Sequence, residues 1–202
     1  MEHTQPRRLL LLVALALLAI PMSVQAHGAI KGLEGFPSGL VHPLTIPAHV
    51  LVILALGLLI GQQTPPDLKR PLLVFMPCLA AGLAFAATRI MTGVYQPLLL
   101  GLALCAAALV ALQKPVPPLA RNVLCALAAL AIGLDSGPET GSAAIIVKTL
   151  LGTWIIVVFL VFDLGYYASL ASRKKWSEIG VRVVGSWIIA ISLLVLAFSL
   201  RK

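Results

Sequence analysis

The chain has 202 residues, 60% of them hydrophobic and 11% charged, with a mean hydropathy of +1.03 and a net charge of +8. That balance excludes an ordinary soluble globular domain, which carries about a quarter charged residues. The basic excess is scattered between apolar runs and forms no aromatic-basic patch, so it marks membrane orientation and not a nucleic-acid partner. Cys78, Cys105 and Cys125 stand far apart inside apolar runs with no CxxC pair, which indicates neither a disulfide framework nor a thiolate metal site.

Residues 1–26 read as a cleavable secretory signal: Arg7 and Arg8 precede the apolar stretch from Leu9 to Ile20, then Pro21 and the small-residue end Val24-Gln25-Ala26. Cleavage would leave His27 as the mature N-terminus, outside the cytoplasm. Residues 27–202 then form one six-helix transmembrane domain, an all-α polytopic bundle with spans near 43–61, 72–91, 97–112, 119–134, 144–167 and 181–200. The loops 62–71, 113–118 and 168–180 and their flanks carry Lys69, Arg70, Lys114, Arg121, Arg173, Lys174, Lys175 and Arg182. The other side carries Lys31, Arg89, Lys148, Arg201 and Lys202, so the first set of loops faces the cytoplasm. Thr64-Pro65-Pro66 and Pro115-Val116-Pro117-Pro118 cannot continue helices, and such short connections make neighbouring spans antiparallel.

Candidate chemistry begins at His42-Pro43-Leu44-Thr45-Ile46-Pro47-Ala48-His49. On an unbroken helix the two imidazoles would share a face but sit about 10 Å apart along the axis, too far for one ion. Pro47 breaks the helix and pushes residue 46 into an extended conformation, so His42 belongs to a lead-in that folds back toward His49. Clustered imidazole favours nickel, cobalt, copper or zinc over magnesium or calcium. The bland alternative has His42 at a helix end and His49 hydrogen-bonded inside the bundle.

The turn from Gly133 to Ser142 places Asp135 and Glu139 on the same side as the histidines, where they complete a nitrogen and oxygen cation site or else end and start two helices. Arg89 and Lys148 are the nearby cations that would neutralise them. Asp163, inside the fifth span, is a candidate proton-coupling or exit carboxylate, unless it pairs with Arg121 or Arg182. No nucleophile-base constellation and no HExxH zinc-protease pattern occurs, so an enzyme is not indicated.

The signal, the His27-Gly28 start, Ser38-Gly39-Leu40-Val41-His42-Pro43-Leu44 leading into His49, and six spans together resemble the HupE/UreJ family of hydrogenase and urease accessory membrane proteins, regarded as nickel or cobalt permeases. The family's first motif is His, five residues, then Asp-His; His42 and His49 match it and Ala48 stands at the Asp. Its second is a His- and Gly-rich stretch closing on Glu; Gly133, Gly137 and Glu139 match, with Ile132 and Ser136 at the histidines. Before the third span, Gln96 or Pro97 occupies the neighbourhood of a family carboxylate. The resemblance implies a multi-pass protein of the bacterial inner membrane, its mature N-terminus periplasmic. It implies divalent nickel or cobalt as cargo and no tightly bound cofactor, with His42, His49, Glu139 and Asp135 as the ligand set. A homo-oligomer or a metalloenzyme-maturation partner is compatible with it. The rival expectation is a non-transporting membrane accessory or scaffold that keeps the fold and has lost its ligands.

Overall fold

The computed structural model describes residues 34–90, 95–137 and 141–199. The expected signal segment, His27 and Glu139 lie outside the described residues. Within them the chain is all helical: α1 Phe36–Thr45, α2 Pro47–Gly61, α3 Lys69–Ala87, α4 Gln96–Leu112, α5 Pro118–Asp135, α6 Ala143–Ala171 and α7 Lys175–Ser199. By length and composition α3, α5, α6 and α7 are each able to cross a bilayer alone, and α1 with α2 would make a fifth span as a broken pair bent by 82°. The apolar α4, at 17 residues, lies at the short end of the range for a span.

The first expected span is the one the structure corrects. Its break falls where the prolines place it: Ile46, forced out of the helical region by Pro47, is extended at φ −102° and ψ 111°. The lead-in, however, is itself a helix. Pro37 occupies an early position of α1, where a fixed φ suits the first turn and no N–H is missed, and the helix runs on through Pro43. At the far end of the chain α7 starts at Lys175, earlier than hydropathy suggests, with Glu178 in its first turn, where a carboxylate complements the helix dipole.

Helix α2 is the centre of the bundle. Val52, Ala55, Leu56 and Leu59 have no exposed surface, and α2 packs against α1, α4, α5, α6 and α7. Lipid tails are as apolar as leucine, so helices adhere here through close packing more than through escape from solvent. Glycines allow that closeness. A Cβ added at Gly61 would stand 2.2 Å from the carbonyl oxygen of Gly165, and one at Gly82 would stand 3.0 Å from the Cα of Gly133. The α2–α6 and α3–α5 crossings therefore bring backbone onto backbone.

The end of the bundle away from the histidines is fastened by polar side chains. Asp67, in the α2–α3 loop, meets Arg121 of α5 at 3.0 Å, and the arginine is almost wholly buried. Gln63 ties two loops together, donating to the Leu59 carbonyl at 3.3 Å and accepting from the Val116 N–H at 3.0 Å. Gln62 donates to the Leu109 carbonyl, and Gln113, in a left-handed conformation at the end of α4, donates to Glu178.

These crossings make a testable contrast. Gly61→Ala should lower stability in detergent by about 1–3 kcal/mol, the ordinary range for overpacking. Gly101→Ala, whose added Cβ meets nothing within 4 Å, should leave the thermal unfolding midpoint unchanged or slightly raised. Equal midpoints for the two variants would contradict the close α2–α6 crossing.

Candidate metal site

Each side chain at the histidine end is placed by a helix terminus. His42 lies in the last turn of α1, which Thr45 closes by donating its hydroxyl to the His42 carbonyl at 2.8 Å. His49 lies in the first turn of α2, across the break. The 82° bend turns what would be separation along one axis into proximity: the rings are 6.0 Å apart, centroid to centroid, and nearly edge to face at 72°.

Asp135 is the last residue of α5. A carboxylate there is unfavourable for its own helix, whose carbonyl end is partially negative, but it reaches His49 in the first turn of α2, the partially positive end of that helix. Its Oδ2 stands 2.9 Å from His49 Nε2. The carboxylate keeps 20% of its side-chain surface exposed, whereas His49 has none. Neither ring nitrogen of His49 has an aligned hydrogen-bond partner, so the 2.9 Å approach is a close contact without donor–acceptor alignment. A fully buried imidazole with Nδ1 unpartnered and Nε2 met only by an unaligned carboxylate leaves room for an ion or a water.

Of the four expected ligands, the structure brings His42 against His49 and His49 against Asp135; Glu139 lies outside the described residues. Among the described residues no three His, Cys, Asp or Glu side chains gather tightly enough to hold a metal ion. Ala48 and Ile132 are fully buried, and Ser136, 2% exposed, donates its hydroxyl to the Ile132 carbonyl at 2.6 Å. Those three positions, polar ligands in the resemblance, are here apolar filling and a helix-end clasp. Arg89 is exposed in a left-handed conformation, and Lys148 lays its stem beside Gly35. Neither forms an ion pair among the described residues, so neither is seen neutralising Asp135. Arg121 is engaged with Asp67, and Arg182 donates to the Ala111 carbonyl, which leaves Asp163 without an ion pair among the described residues.

Two residues that sequence reasoning passed over hold α1 in place. Thr149 and Thr153, one turn apart on α6, direct their hydroxyls at the carbonyls of Gly35 and Gly39, each at 3.1 Å. For Thr153 the available signal was Pro43 itself, because a proline inside a helix strands the carbonyl four residues back, here that of Gly39.

A family model described as HupE / UreJ protein matches residues 15–195 of the chain. No curated protein and no solved structure matches it.

Because His49 meets Asp135 at 2.9 Å without an aligned hydrogen bond, and the carboxylate keeps access to solvent, its imidazole should contribute little to folding. His49→Leu removes a buried polar group but also the ion-pair partner of the partly exposed Asp135, so the unfolding midpoint of metal-free protein should fall by no more than the equivalent of about 1 kcal/mol. A drop equivalent to more than about 2 kcal/mol would mean the ring is a structural element of the core.

Proposed function

The chain belongs to the HupE/UreJ family, and on that premise we propose that it is a permease admitting a divalent transition metal, nickel or cobalt, through the bundle from the histidine end. The observation that carries the reading is His49: a buried imidazole with no aligned hydrogen bond, its Nε2 2.9 Å from a carboxylate oxygen of Asp135 and a second imidazole beside it. Neutral imidazole with carboxylate is a donor set suited to these ions. His42 and His49 would ligate, Asp135 would balance charge, and Glu139, four residues on in the same turn, would add a second carboxylate.

Conduction needs binding strong enough for entry and weak enough for release, which a small mixed set of imidazole and carboxylate can meet. Basic residues Lys69, Arg70, Lys114, Arg121 and Arg173 to Lys175 gather around the opposite end, and by the positive-inside rule this supports a cytoplasmic place for that end and an outer one for the histidines. For a divalent cation, a membrane potential of about 100 mV supplies roughly 4.6 kcal/mol, enough for accumulation without nucleotide hydrolysis.

The rival reading, a membrane accessory protein that has shed its ligands, draws on the lack of any three-ligand group among the described residues. Uptake separates the two. Cells expressing the chain should accumulate nickel or cobalt added outside, and the His42→Ala/His49→Ala variant, present in equal amount, should fall to the level of cells lacking the protein. Equal accumulation by both for every metal offered would reject the ligand assignment and favour the accessory role.

A further inference from the structure

Helix α1 carries His42, yet its own hydrogen bonding is incomplete. Pro43 lies inside it and has no N–H to give to the carbonyl of Gly39, four residues earlier. Gly39 is buried, away from water that might take the missing donor's place. The replacement comes from another helix: Thr153, itself fully buried, donates its hydroxyl to the Gly39 carbonyl at 3.1 Å. One turn earlier the Thr149 hydroxyl stands 3.1 Å from the Gly35 carbonyl, which also accepts from the Gly39 N–H, and 3.0 Å from the Ile145 carbonyl of its own helix.

Such bonds require the two backbones to touch. A Cβ added at Gly39 would stand 1.9 Å from the Thr149 carbonyl oxygen, and one at Gly152 would stand 2.4 Å from that of Phe36. The glycines permit the approach, and the hydroxyl of Thr153 fixes its register, because only there does a donor meet the carbonyl that Pro43 leaves unserved. We infer that Thr153 is a positioning residue for the metal path: by supplying the hydrogen bond that Pro43 withholds, it sets the height and rotation of α1 and so holds His42 against His49. Thr153 touches neither imidazole in this scheme. The inference rests on the permease reading for its transport readout, though not for its structural one.

The test is a coupling between Pro43 and Thr153. Thr153→Val keeps the shape and removes the donor; it should raise the KM for nickel uptake about tenfold, the equivalent of one net hydrogen bond, with a smaller change in Vmax per folded molecule. Thr153→Ser should behave as wild type. Pro43→Ala returns a backbone N–H to Gly39, so in that background Thr153→Val should change KM by less than about twofold. A metal-free measurement runs beside it, the distance between spin labels at the exposed positions Leu44 on α1 and Leu151 on α6. Thr153→Val should broaden or shift that distance, and adding Pro43→Ala should restore it. If Thr153→Val fails to fold, rescue by Pro43→Ala supports the coupling and lack of rescue opposes it. Equal losses with and without Pro43, or no effect of Thr153→Val on either readout, would overturn the inference. Normal uptake by His42→Ala/His49→Ala would instead remove the ligand reading and leave the spin-label result to decide on Thr153.

Discussion

The break between Thr45 and Pro47 is the constraint on which the site depends. One extended residue, Ile46, turns the chain by 82°, and without that turn His42 and His49 would lie nearly two helical turns apart on a common axis. With it, one imidazole ends a helix and the other begins the next, and their rings come within 6.0 Å. The break has a further consequence. A short helix hanging from a proline, with another proline inside it, has too few bonds of its own, so its place must be set by a neighbour, and α6 supplies the hydroxyls.

Helix α2 carries this arrangement into the middle of the bundle, and its two ends differ in kind. At the Gly61 end polar side chains are spent on fastening: Gln63 joins two loops and Asp67 takes up the buried charge of Arg121. At the Pro47 end the buried ring of His49 makes no aligned hydrogen bond, and the carboxylate 2.9 Å from it comes from the last residue of another helix. Buried polar groups in a membrane are costly, so one that does not hold the fold together points to function. Glycine crossings seat the helices carrying these groups on their neighbours at backbone distance, α1 and α2 on α6 and α5 on α3.

Much of this was legible in the chain. Apolar runs located the helices because a bilayer demands length and leaves little room for charge, and the start of α2 followed from the steric effect of Pro47 on Ile46. The approach of Asp135 to His49 was within reach of the same reasoning, since the turn after α5 returns to the histidine side. The helical state of residues 36–45 was not legible, because Pro43 argues against a helix on local grounds and the compensating donor, Thr153, lies 114 positions from Gly39. The early start of α7 escaped for a related reason: Lys175 and Glu178 are too polar for a hydropathy window, yet helix formation beyond the hydrocarbon needs no apolar run. The pairing of Asp67 with Arg121 has no marker in sequence at all, being fixed only when the α2–α3 loop folds over the start of α5.

The central claim is that the two imidazoles bind one ion. X-ray absorption of the purified protein loaded with one equivalent of nickel or cobalt reads the ligands directly, since imidazole rings give a distinctive multiple-scattering pattern. The account predicts imidazole scattering together with oxygen ligands in the wild-type protein, reduced in His49→Ala and absent in the His42→Ala/His49→Ala variant. A spectrum of oxygen ligands alone, or an imidazole signal that survives removal of both rings, would contradict it.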